Sequence, residues 1–158
     1  LAQWLIADAW QHTIKTQHIR KPWSWADTWP VARLRSKHLP RDLYILAGAH
    51  GSSLAFGPGH LGATALPGEG ASVVGGHRDT HFGFLKKINV GDTFELQNKR
   101  GQWLKFIVRH TRIDDVREGY LGIENRGDFL TLVTCYPFDA INPGGPLRFV
   151  VTAQQIDG

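Results

Sequence analysis

The sequence predicts a mainly β domain, a small and partly closed barrel of roughly seven or eight short strands with little helix. Two observations support this class. Short apolar segments recur along the chain, and turns rich in Gly and Pro, with 18 and 8 residues, separate them. A length of 158 residues fits one domain with a sizeable core. We therefore expect one barrel, with any further segment attached to it as an appendage.

The first element is an expected helix over residues 1–19, which neither Gly nor Pro interrupts. Its apolar stripe is expected at Trp4, Ala7 and Ile14 and is widened by Leu1, Leu5 and Trp10. Residues 22–30 follow and place three Trp between two Pro, which indicates an irregular strap packed on the body. We therefore divide the chain into an appendage of residues 1–30, the helix and Trp-rich strap, and a barrel domain of residues 31–158.

Apolar runs and alternation identify the strands of the barrel. They are predicted at residues 31–34, 43–47, 71–76, 93–97, 103–111, 129–135 and 147–153. Residues 48–70 are Gly-rich without a regular pattern, and residues 82–88 predict one or two helical turns. Residues 98–101 fit a hairpin turn, and residues 114–126 are polar and turn-like.

The composition excludes two classes of protein. With 42% hydrophobic and 20% charged residues, the chain is neither a disordered tail nor a membrane bundle. The net charge is +4, but the basic residues are scattered, which favours a solvated surface. No face combines basic and aromatic residues in a stripe, so we expect no nucleic-acid partner.

The single cysteine, Cys135, is a candidate nucleophile. It follows an apolar strand and precedes Tyr136 and Pro137, which places it at the rim of a stiff loop. A thiol attacks as thiolate, so it needs a base or a positive charge nearby. Position alone leaves an inert core cysteine and a nucleophile equally open.

Two further residues stand at strand ends. His77 follows the strand at residues 71–76, and Arg148 begins the strand that follows Gly144 and Gly145. If the strands are neighbours, the thiol of Cys135 and the imidazole of His77 lie close enough to act as nucleophile and base. The planar guanidinium of Arg148 can then stabilise a developing oxyanion. Taken singly, a surface histidine and an edge-strand arginine remain the plainer interpretations.

The sequence motifs around these residues resemble those of one protein family. Residues 131–135, TLVTC, resemble the TLxTC signature of sortases. Residues 75–79, GGHRD, resemble the sortase histidine motif, and residues 147–151, LRFVV, resemble the sortase arginine strand. Longer segments resemble the Gram-negative, marine proteobacterial branch of that family. They lie at residues 22–34, 54–60, 76–85, 131–140 and 143–151.

The resemblance implies a closed barrel of about eight strands with short helices and an N-terminal helix. It implies a cysteine transpeptidase with Cys135 as nucleophile, His77 as acid and base, and Arg148 as oxyanion stabiliser. The substrate would be a secreted protein with an LPXTG-like C-terminal sorting signal, and an unidentified amine would accept the acyl group. An upstream anchor outside this chain would hold the enzyme at the inner membrane with its catalytic domain in the periplasm. No metal or organic cofactor is implied.

Several neighbours are candidates for supporting roles. The hydroxyl of Thr134 is expected to orient Arg148 or the substrate, although a β-branched strand residue explains it equally well. Asp79 and Asp139 are weaker candidates for influencing His77 or Arg148.

Two other histidines need separate interpretation. His60 is expected to shape the wall of the substrate groove, and His81 to face away from His77. A zinc site of His77, Asp79 and His81 is disfavoured, because zinc needs three or four convergent ligands and the cysteine pairing uses His77 better.

Three alternative functions differ in how well the residues fit them. A papain-type protease places its Cys before its His, the reverse of the order here. An L,D-transpeptidase carries a Ser-x-Gly-Cys word, which residues 132–135 do not supply. A non-enzymatic barrel that binds peptide through its Trp-rich strap, with an inert Cys135, stays open on sequence alone.

Overall fold

A computed structural model describes residues 1–49, 51–119, 123, 126–142 and 144–156 of the chain. Parts of four predicted segments fall outside these residues. They are residue 50 of the Gly-rich segment, residues 120–122, 124 and 125 of the polar segment, residue 143 of the segment at 143–151, and residues 157–158 of the barrel domain.

The described residues form a closed barrel of eight strands preceded by a helix. The strands are β1 (Pro30–Arg35), β2 (Leu43–Ala47), β3 (Gly59–His60), β4 (Ser72–Gly75), β5 (Thr93–Gln97), β6 (Trp103–Asp115), β7 (Phe129–Cys135) and β8 (Leu147–Ile156). They follow each other around the barrel in the order β1, β2, β3, β4, β7, β8, β6, β5, and β5 closes on β1. The helix α1 spans Ala2–Thr16, and short 3₁₀ turns cover Gly51–Ala55, Gly83–Lys87 and Val116–Glu118. The predicted mainly β class, with a closed barrel and an N-terminal helix, is confirmed.

The barrel interior explains which residues form strands. In β5 the side chains alternate between exposed and buried positions, as a half-buried strand requires, whereas most of β7 is buried. The interior is filled by aliphatic and aromatic side chains. Those with no exposed surface include Leu34, Ile45, Val74, Phe82, Leu96, Leu130, Leu132 and Val151.

The strand β3 was not predicted, because it has only two residues inside the Gly-rich segment. Gly59 is required there: a Cβ at this position would lie 2.2 Å from the carbonyl oxygen of Gly48. This close approach of two backbones lets β3 bridge β2 and β4 and complete the barrel. Strand β6 is also longer than predicted, because it pairs along the whole of β8 and continues through polar residues to Asp115.

Helix α1 ends at Thr16, earlier than predicted, where Gln17 turns left-handed at φ 60°. The buried face was predicted in part, since of the expected residues Trp10 is fully buried but Leu1 and Trp4 are exposed. Trp4 is 65% exposed, whereas the buried residues follow helical spacing at Ile6, Ala9, Trp10 and Thr13. The indole Nε1 of Trp10 donates to Gln97 Oε1 at 2.8 Å. Because Gln97 ends β5, this bond joins α1 to the end of the barrel that carries the β5–β6 turn.

The strap after α1 is partly packed. Trp23 lies edge-on to Phe56 with 5.1 Å between ring centroids, whereas Trp25 is largely exposed. The division between residues 30 and 31 stays a prediction.

Candidate active site

The strand register brings the three predicted site residues to one end of the barrel. Strands β4 and β7 are parallel, with Gly75 opposite Val133, so both run toward the same end. Strands β7 and β8 are antiparallel, with Cys135 directly opposite Arg148. His77 therefore follows the end of one strand, Cys135 ends the next, and Arg148 lies on the third. The β5–β6 turn that α1 contacts lies at the opposite end.

Cys135 is half-buried and not in a disulfide. Its strand is anchored on both sides, by β4 and by β8, so the backbone that carries the thiol is held in the middle of a three-stranded surface. A partly exposed thiol at a strand end is accessible to a substrate carbonyl, unlike a thiol in the core.

The turn that carries His77 is set by close packing beneath it. Gly76 donates its N–H to the carbonyl of Val133 at 3.1 Å, and Phe82 donates its N–H to the carbonyl of His77 at 3.0 Å. The ring of Phe82, which is fully buried, packs so closely on Gly76 that a Cβ there would lie 2.8 Å from the ring. Glycine at position 76 thus lets the turn sit on the core while His77 itself remains exposed.

Thr134 is buried, and its hydroxyl donates to the carbonyl of Gly76 at 2.7 Å. This bond joins the residue before Cys135 to the residue before His77. This contact ties the two strand ends together, and the expected role of the hydroxyl toward Arg148 or the substrate stays a prediction.

Arg148 uses part of its guanidinium to order its own entry loop. Its Nη1 donates to the carbonyls of Gly145 at 2.7 Å and Leu147 at 2.9 Å. Its Nε and Nη2 have no partner among the described residues, so these donors are available to a substrate oxygen. The side chain is half-buried beside Cys135, as a group that meets a developing oxyanion needs to be.

An aromatic cluster packs the residues that follow Cys135 against the strand of Arg148. Tyr136 stacks on Phe149 with ring centroids 6.1 Å apart, and Phe138 meets Phe149 edge-on at 5.3 Å. Because Tyr136 follows Cys135 and Phe149 follows Arg148, the cluster stiffens the site from one side.

The weaker candidates lie as follows. Asp79 and Asp139 are exposed, and no hydrogen bond or ion pair of either is present among the described residues. His60 is buried in β3, and its Nε2 lies 2.8 Å from the carbonyl oxygen of Ala65 and 3.1 Å from that of Thr64. Strand β3 runs away from the site end, since Gly59 rather than His60 is opposite Gly75, so His60 orders the turn after β3.

The orientation of His81 relative to His77 stays a prediction. His81 is half-buried, and its Nδ1 is buried without a partner. Burial is the main cause that lowers the pKa of His81, and the positive charge of His77 lowers it further. His81 therefore loses its proton more readily than an ordinary histidine.

Neither metal ligation nor a membrane helix is evident in the described part of the chain. Within it, no three His, Cys, Asp or Glu side chains converge as metal ligands would. None of its helices is long and apolar enough to cross a bilayer.

The chain is similar to known proteins in both sequence and fold. The family described as Sortase domain matches residues 35–156. Sortase D of Bacillus subtilis (strain 168) is 28% identical over 116 residues, which are 73% of this chain and 58% of that protein. The chain thus spans less than two thirds of the length of this curated relative.

Solved structures give the same result. Sortase C-1 from Actinomyces oris is 28% identical with a TM-score of 0.71, over 99% of this chain and 86% of that chain. Sortase C1 of Streptococcus agalactiae is 27% identical with a TM-score of 0.69, over 82% of this chain and 68% of that chain. Sortase A from Corynebacterium diphtheriae, 22% identical with a TM-score of 0.71 over 99% of this chain and 85% of that chain, shares the fold.

Proposed function

This chain belongs to the sortase family, and from that premise we propose that it is a cysteine transpeptidase acting on a C-terminal sorting signal of secreted proteins. One observation carries the proposal: the register of β4, β7 and β8 gathers a histidine, the only cysteine and an arginine at one barrel end. Nucleophile, acid and base, and oxyanion donor are the three groups that acyl transfer through a thioester requires.

In the first half-reaction the thiolate of Cys135 attacks the carbonyl carbon of the Thr in the signal. The carbonyl oxygen becomes an oxyanion and accepts hydrogen bonds from the unpartnered guanidinium N–H groups of Arg148. The C–N bond to the following residue then breaks, and protonated His77 gives its proton to the leaving amine. The products are a thioester on Cys135, a free peptide amine and neutral His77.

In the second half-reaction an acceptor amine attacks the thioester carbon. Neutral His77 takes the proton of that amine, and Arg148 again holds the oxyanion. The C–S bond breaks, a new amide is released, and Cys135 returns to thiolate with His77 protonated. Water in place of the amine gives slower hydrolysis.

We further propose that the signal is LPXTG-like and that the chain belongs to the Gram-negative, marine proteobacterial branch of the family. We also propose that an anchor upstream of this chain holds the enzyme in the inner membrane, with its catalytic domain facing the periplasm. These proposals are supported by the sequence motifs around the site, which resemble those of that branch. The Trp-rich segment at residues 22–34 and the LAFGPGH segment at residues 54–60 share this resemblance. The acceptor amine is left unassigned within this proposal.

The test uses an LPXTG-like peptide and hydroxylamine as a small acceptor, with the products followed by mass spectrometry. We expect cleavage after the Thr and a hydroxamate product, together with a trapped acyl-enzyme on Cys135. Cys135→Ala should remove all three. Arg148→Lys keeps the charge but loses the planar fork. We expect kcat/KM to fall on the order of 100-fold, as for other lost oxyanion donors. Cleavage by Cys135→Ala would refute the assigned nucleophile.

A further inference from the structure

Arg78 follows His77 directly, yet its side chain reaches across the site end of the barrel. Its Nη2 donates to the main-chain carbonyl of Asn142 at 2.7 Å, a contact between residues 64 positions apart. Asn142 lies in the loop that leaves Cys135 and returns at Arg148. The bond therefore joins the turn that carries the histidine to the loop that connects the other two site residues.

The guanidinium of Arg78 is drawn into the protein rather than extended into water. The residue is half-buried, and its Nη1 is buried with no hydrogen-bond partner among the described residues. No described carboxylate forms an ion pair with Arg78, so its position is not explained by a surface salt bridge. Burying a charged donor costs free energy unless something is gained in return, and the gain visible here is the bond to the loop.

Other contacts show why such a bond matters. Thr134 joins β7 to Gly76 below the thiol, and the ring of Tyr136 holds the start of the loop against β8. The far part of the loop, with Asn142, has the contact from Arg78 instead. The bond from Arg78 to Asn142 is thus a side-chain hydrogen bond that joins the loop to the His77 turn away from their bases.

We propose that Arg78 is a positioning residue: it holds the loop after Cys135 against the turn of His77, so that thiol and imidazole keep the relative placement that acyl transfer needs. The proposal deepens the proposed function and rests on it for its kinetic readout. Arg78 transfers no proton and forms no bond to substrate in this role. Displacement of reacting groups by about 1 Å is enough to reduce rates on the order of 100-fold.

The variants are Arg78→Met, which keeps an apolar stem but no donor, and Arg78→Lys, which keeps one charged donor group. Lys86→Met is the matched control, since it removes one positive charge from an exposed position on the 3₁₀ turn that follows the same segment. His77→Ala is the reference for a thiol without its partner. Each is assayed for kcat and KM with the LPXTG-like peptide and hydroxylamine, for the rate of Cys135 alkylation by iodoacetamide at one fixed pH, and for thermal unfolding.

For Arg78→Met we expect kcat to fall about 10- to 100-fold, with KM within about twofold and the alkylation rate moving toward that of His77→Ala. Arg78→Lys should recover part of both rates, and Lys86→Met should match the unsubstituted chain. If Arg78→Met does not fold, Arg78→Lys decides by showing the same losses in smaller degree.

Unchanged kcat and alkylation rates in folded Arg78→Met would overturn the proposal, as would losses that merely follow a lowered thermal midpoint. The alkylation comparison needs no peptide. If the unsubstituted chain cleaves no signal peptide, the proposed function fails while the role of Arg78 in placing the thiol is still decided.

Discussion

Replacing Thr134 by Val tests how the site is assembled, because it removes one hydroxyl and almost no volume. Thr134 is 2% exposed, and its hydroxyl donates to the carbonyl of Gly76 at 2.7 Å. A net hydrogen bond contributes about 1 kcal/mol, and the loss rises to about 3 kcal/mol if the carbonyl is left buried without a donor. The described residues offer Gly76 no second donor for this carbonyl, so we expect a loss of about 1 to 3 kcal/mol.

The matched control lies three residues earlier on the same strand. Thr131 is fully buried, and its hydroxyl has no partner among the described residues. Its replacement by Val removes a buried polar atom that satisfies nothing, so the free energy of unfolding should stay level or rise by up to about 1 kcal/mol. The two substitutions are chemically identical, and only the hydrogen bond to Gly76 distinguishes them.

The assays are urea denaturation and signal-peptide kinetics. For a domain of this size the thermal midpoint should fall by roughly 2 to 4 °C per kcal/mol. Because Gly76 precedes His77, we also expect kcat/KM of Thr134→Val to fall about tenfold, and that of Thr131→Val to stay normal. Equal unfolding free energies and equal kcat/KM for the two variants would refute the reasoning that this bond fixes the strand ends.

Three further predictions follow from contacts near and far from the site. Gly76→Ala places a Cβ 2.8 Å from the buried ring of Phe82, so it should lower the free energy of unfolding in urea by about 1 to 3 kcal/mol and slow peptide cleavage. An unaltered denaturation midpoint would show that the turn adapts freely. Burial and the charge of His77 lower the pKa of His81, so below about pH 6.5 the unfolded chain binds a proton at this residue more readily than the folded chain does. The contribution of His81 to stability should therefore be complete above that pH and decline as the pH falls. His81→Gln should flatten this slope in denaturation curves measured at several pH values. Trp10→Phe loses the hydrogen bond to Gln97 and leaves a gap under α1, so it should lower the free energy of unfolding by about 1 to 3 kcal/mol. The alkylation rate of Cys135 should remain normal, and a changed rate would indicate coupling between the two barrel ends.

The sequence was sufficient for strands whose pattern is set by the barrel interior. β2, β5 and β7 have the bounds that alternation and apolar runs predict, because their side chains meet either core or water. The gathering of His77, Cys135 and Arg148 could also be anticipated, since strand ends that share a register place their next residues together.

What the sequence could not predict depends on backbone contacts between distant segments. β3 exists because Gly59 admits the backbone of Gly48, which no local pattern reveals. The buried face of α1 was predicted only in part, because Trp4 is apolar yet exposed, whereas Thr13 is buried with its hydroxyl bonded to the carbonyl of Ala9. In both cases the neighbour across the fold, rather than the residue type, decides the outcome.

The same reasoning accounts for how the site is held. The hydroxyl of Thr134, the guanidinium of Arg78 and part of that of Arg148 all donate to main-chain carbonyls. A main-chain acceptor is present whatever side chain stands at position 142, so this residue can vary in sequence while the contact from Arg78 is kept. Side-chain changes at Asn142 should therefore alter the surface offered to a substrate more than the geometry of the catalytic groups, whereas loss of a donor should do the reverse.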